Sequence, residues 1–352
     1  MNSETPTPKR YRPAIGILLT LALYLSGFFV LLTPLPPLYH WLVDRRRALW
    51  GVVLPIFAIL VFVYAVLLDP LARFYQAHPA WSWLLPIPGM NFRPFLSSRT
   101  AALFGLVYFL FFVGVAGVVQ HILSRPVHVT RVLGGAALVF SAAGLLLYAG
   151  YASIQGISPF GFASDYIQLV INEFIQVQEK AGLPLSRLAV LRENAPLFAR
   201  IWLLFSPSIL FCAVLFILVL NLAVGKKILS PFVRSIGRVS LNATALEFFW
   251  VWAVIFCVGV LLLNSFFFRQ TWLLAASANI LFILIFAYFL QGLAIVSWFF
   301  EKRNVGSLVR LLLYGLIVVL FQIVGVLVTG LGFFDSWFDF RKLSRPPGQK
   351  KT

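Results

Sequence analysis

Eight apolar runs of about 19 to 30 residues, none carrying a charged side chain, make up most of the chain: 14–32, 50–68, 101–123, 132–151, 201–224, 248–268, 271–300 and 311–334. In hydrocarbon a backbone N–H or C=O finds no water, so a single segment satisfies itself only as a helix. About twenty helical residues cover the roughly 30 Å of a bilayer core. The fold class that follows is all-α: a polytopic transmembrane helix bundle of about eight to nine spans. With 61% hydrophobic and 11% charged residues, the 352-residue chain is too apolar for a soluble core. Trp50, Trp81, Trp83, Trp202, Trp250, Trp252, Trp272, Trp298 and Trp337 gather toward run ends, as an interfacial belt requires.

The formal charge of +17 does not point to nucleic acid, because the basic residues are scattered between apolar runs and form no single basic face. The partner they imply is the lipid bilayer, with cytoplasmic loops holding the excess of Lys and Arg. Simple alternation of eight spans fails this rule. Pro34, Pro36 and Pro37 resolve it by breaking residues 14–43 into a re-entrant or broken hairpin. The cytoplasmic segments then carry 15 basic and four acidic residues, the outer ones eight and five. Residues 1–13 read as a basic cytoplasmic N-terminus, 14–334 as one transmembrane domain with outer segments 69–100 and 152–200, and 335–352 as a charged tail. The first run lacks a clear cleavage site and reads as an uncleaved span. This count orients the chain as a multi-pass membrane protein.

Residues 164–182 have an apolar and a wet side, with Ser164 as N-cap and Gly182 at the C′ position, which predicts an interfacial amphipathic helix. Pro184 predicts a second short helix ending near Asn194. Together with the loop around residues 78–96 these would cap the outer face. Gly325, Thr329 and Gly332 share one helix face and read as a close-packing stripe. Cys212 and Cys257 lie inside apolar runs without metal-ligand or disulfide spacing.

Polar side chains inside the runs are the binding candidates, since an unpaired amide in hydrocarbon is costly. They are Gln291, Asn279, Gln322, Asn264 and Asn221. Gln291 leads, because Gly292 follows it within a run longer than a bilayer needs, and a break there would open backbone groups to a ligand. Asp335 and Asp339 lie four apart, so a helix would put both on one face, and Arg341 could supply the neutralising charge. These three form an interfacial charged cluster. No catalytic motif appears in usable context, no ligand set for a metal is present, and no cofactor is implied, so an enzyme is not expected.

QGLAIVSWFFEKRNV, followed by GLGFFDSWFDFRK, resembles the C-terminal signature of the YybS-like family of uncharacterised bacterial multi-spanning membrane proteins. That family is distantly similar to the substrate-binding subunits of energy-coupling-factor transporters, which share a proline break like TPLPP in the first helix. The resemblance implies a membrane coupling or ATPase partner. The functional expectation is a non-catalytic membrane protein that binds or transports a small molecule or lipid beneath the outer segments. The alternative is a membrane scaffold or assembly partner acting through the cytoplasmic loops and the tail.

Overall fold

The computed structural model describes residues 12–27, 29–43, 48–77, 98–180, 182, 185–230 and 246–341. Among them there is no strand. Seven helical stretches are long and apolar enough to cross a membrane, and two apolar helices are shorter. The chain divides into two compact units, one of residues 1–140 and 214–239, the other of residues 141–213 and 240–352.

In the first unit the leading run is broken, as the charge pattern requires. Helix α1 (Pro13–Leu25) is 13 residues long, about 20 Å, and stops short of a span. The chain reverses at Gly27, whose φ of +62° is a left-handed value that glycine alone adopts freely. It then makes one tight turn (Val30–Leu32) and re-enters helix as α2 (Leu35–Val43), which packs back on α1. The break thus precedes Pro36 and Pro37. They occupy the first turn of α2, where a missing N–H breaks no helical bond.

The next span contains α3 (Leu54–Phe62) and α4 (Leu68–Ala77), with wider π turns at Leu49–Val53 and Val63–Leu67. The first of these precedes Pro55, whose ring and lost donor a wider turn accommodates. Helix α5 (Ser98–Ser124) packs on α2 and α3. The expected cap loop at residues 78–96 lies outside the described residues.

Helices α6 (Val129–Ile154), α7 (Pro159–Lys180) and α8 (Leu185–Leu229) follow. Helix α7 begins five residues before Ser164, so that serine is not its N-cap, while Gly182 just past its end takes φ +82°. The helix expected to stop near Asn194 does not stop. Asn194 donates to the Val190 carbonyl at 2.8 Å, one turn back, and the helix runs on through Pro196 and Pro207.

The second unit also contains α9 (Phe249–Leu263), a π turn (Asn264–Phe268), α10 (Thr271–Lys302), α11 (Ser307–Val319) and α12 (Phe321–Phe338). Helix α10 is continuous through Gly292, against the expected break. The last run divides at Leu320 (φ −100°, ψ 30°) and not at Gly325, Gly330 or Gly332. This bend sets Phe321 over Gly325 and edge-on to Phe289 at 5.4 Å.

Gly292 and Gly332 serve close approach instead. A Cβ on Gly292 would collide with the Val328 carbonyl, and one on Gly332 with the Tyr288 carbonyl and the Gly292 nitrogen. Phe300 pairs with Tyr314, Gly292 meets Val328 and Tyr288 meets Gly332, so α11 and α12 run antiparallel to α10. Overpacking such a contact costs about 1–3 kcal/mol. Gly332→Ala should therefore lower the melting temperature of the purified protein, whereas Gly330→Ala, where a Cβ meets nothing within 4 Å, should leave it equal or raise it. Thermal unfolding of the two variants in one detergent checks this.

Candidate functional site

The α10–α12 contact carries a buried polar node. Asp335 Oδ2 accepts from Arg341 Nη2 at 2.8 Å and from Gln291 Nε2 at 3.1 Å, and Oδ1 accepts from the Phe340 N–H at 2.9 Å. Gln291 Oε1 in turn accepts from the Leu246 N–H at 2.9 Å, in the non-helical segment leading into α9. Gln291, Asp335 and Arg341 are each no more than 6% exposed. The chain reaches this geometry because α12 ends at Phe338 and Asp339 turns left-handed, φ +42°, while its N–H stays on the Asp335 carbonyl. That turn brings Arg341 back over the last helical turn.

Two groups that the sequence treats separately, an intramembrane amide and an interfacial charged cluster, are therefore one site. Asp339 is the exception. It caps the end of α12 in the left-handed region, so it does not continue the helical face that carries Asp335. The Tyr288 hydroxyl adjoins that of Ser336, and neither has a well-aligned hydrogen-bond partner among the described residues. Sequence reasoning passed over both, although Tyr288 lies one turn before Gln291 and Ser336 directly follows Asp335.

The node's chemistry is that of a charge-assisted hydrogen-bond network with its donors matched to one carboxylate. An ion pair held away from water needs such additional bonds to offset its desolvation. Among the described residues no group of three or more His, Cys, Asp or Glu is placed to hold a metal ion.

The remaining amides go elsewhere. Asn279 of α10 repairs α8 at Pro207: its Oδ1 accepts from the Ser208 N–H at 3.1 Å and its Nδ2 donates to the Leu204 carbonyl at 2.7 Å, replacing a ladder bond that the proline opens. Ser206 Oγ takes the Leu203 carbonyl that Pro207 cannot serve, at 2.9 Å. Asn264 accepts from the Gln270 N–H at 2.9 Å and closes the turn after α9. Asn221 donates to the Leu31 carbonyl at 2.8 Å, inside the α1–α2 break. Gln322 is exposed in the first turn of α12. Asn279, Asn264, Asn221 and Gln291 thus each hydrogen-bond to a different stretch of backbone.

Seven long apolar helices, a broken hairpin and an ion-paired node buried in the α10–α12 contact define a polytopic α-helical membrane protein. The chain belongs to the family described as Predicted membrane protein (DUF2232), whose model matches residues 83–336. No curated protein and no solved structure matches it. Gln291 and Asp335 fall within the matched region and Arg341 just beyond it.

Removing one partner of a buried ion pair costs about 3–5 kcal/mol, while replacing both with apolar groups costs much less. Asp335→Leu and Arg341→Met should each lower the melting temperature sharply, and the double variant should recover a large part of the loss. At the other repair site, Asn279→Leu should be destabilising in the native sequence and much less so with Pro207→Ala, which restores the α8 ladder. A double-mutant cycle of melting temperatures reads both couplings.

Proposed function

We propose that the protein is a non-catalytic protein of a bacterial inner membrane that binds or transports a small molecule or a lipid. The amides as a set do not carry this reading, since their hydrogen bonds go to different partners. The supporting observation is narrower: Tyr288, Gln291, Asp335, Ser336 and Arg341 gather polar chemistry at one place between two apolar helices, and the two hydroxyls there retain hydrogen-bonding capacity. Ionisable groups inside membrane spans are costly and characteristically mark ligand or ion pathways. Similarity to the YybS-like family, and through it to energy-coupling-factor substrate subunits, points the same way and adds a membrane coupling or ATPase partner.

A second reading, a scaffold acting through its tail, draws on a different feature of the same node. Asp335 fixes Phe340 and Arg341, the last described residues of the charged tail.

Purification from native membranes, with mass spectrometry of co-purifying proteins and small molecules, separates the two. The expected result is a defined small molecule or lipid retained by the wild-type protein and lost from Asp335→Asn. A stoichiometric protein partner without such a ligand would favour the scaffold, and neither would overturn both readings.

A further inference from the structure

We propose that the break between α1 and α2 is a binding site for a monovalent cation, separate from the node and resting on a different observation. Asn221, on α8, is 0% exposed. Its Nδ2 donates to two carbonyls, Leu31 and Ile217, both at 2.8 Å. Two carbonyls cannot accept from an amide oxygen, so the orientation of this amide is fixed. Its Oδ1 is thereby left as a buried acceptor, and it has no hydrogen-bond partner among the described residues. A polar atom kept in that condition inside an apolar bundle calls for a ligand.

The surroundings say which ligand. Helix α1 ends at Leu25, and its last carbonyls bring the negative end of a helix dipole to the break. Thr33 is fully buried, and its Oγ1 gives its proton to the Val30 carbonyl at 2.6 Å, which leaves oxygen lone pairs to offer. The opposing end of α2 is poor in donors: Pro36 and Pro37 have no N–H, and the Leu38 N–H is spent on the Pro34 carbonyl at 2.9 Å. An anion would meet too few donors there. A divalent cation would want carboxylates, and the described residues of this unit carry one acid, Asp69, in α4. Neutral oxygens around an interrupted membrane helix suit a singly charged cation.

The test uses the full-length protein in lipid nanodiscs, melted in NaCl, KCl or choline chloride at one ionic strength. Sodium or potassium should raise the melting temperature saturably by about 2–5 °C over choline. Asn221→Leu should abolish the difference. Because that change also cuts the bond to Leu31 and could compromise folding, Thr33→Val, which keeps the shape and removes the oxygen, provides the second readout and should shrink the shift. Asp335→Asn should retain it. Equal melting of the wild-type protein in all three salts, or a full shift surviving in Thr33→Val, would overturn the proposal.

Discussion

The backbone contact between Gly292 and Gly332 is what the second unit depends on. Two helices can carry an amide and a carboxylate on facing sides and still leave both stranded if ordinary side chains hold the axes apart. With no Cβ at either position, α10 and α12 close to backbone contact, and Gln291 comes within hydrogen-bond reach of Asp335. In hydrocarbon such a pairing has few competitors, because no water offers the same groups an alternative. The packing stripe and the polar node are therefore one arrangement: the glycines set the distance and the polar groups fix the register.

The amides follow a common rule once their partners are known. Each hydrogen-bonded one serves backbone that has left the regular helix. Asn279 bridges the ladder opened by Pro207, Asn264 closes the turn at Gln270, Asn221 holds the Leu31 carbonyl in the hairpin break, and Gln291 takes the Leu246 N–H ahead of α9. A membrane protein with irregular backbone at depth must supply such donors and acceptors from side chains. Asn221 stands out because both its protons are used and its oxygen is not.

What was legible in the sequence is what depends on composition along the chain. The apolar runs became helices, and the charge count called for a broken first hairpin, which the structure contains. Its position was misplaced to the prolines because proline is conspicuous, whereas the reversal is made by Gly27 a few residues earlier. Other features were hidden because their causes are distant in sequence. Gln291 and Asp335 are 44 residues apart, and only a helix crossing brings them together. Gly292 looked like a hinge because glycine in isolation is a helix breaker, but a neighbouring backbone was occupying the space of its missing side chain. The bend at Leu320 has no glycine or proline to announce it.

The ion pair also explains how α12 can end inside an apolar bundle. A helix that stops there leaves backbone groups without partners, and a lone aspartate or a lone arginine would add an uncompensated charge. Asp335 answers both needs: its Oδ1 takes the Phe340 N–H, just past the helix, and its Oδ2 takes the Arg341 guanidinium at 2.8 Å. The left-handed turn at Asp339 is what returns Arg341 to that carboxylate, and Gln291 ties the pair to α10. The group that would be costly alone thus becomes the cap that ends the helix and fixes it to its neighbour.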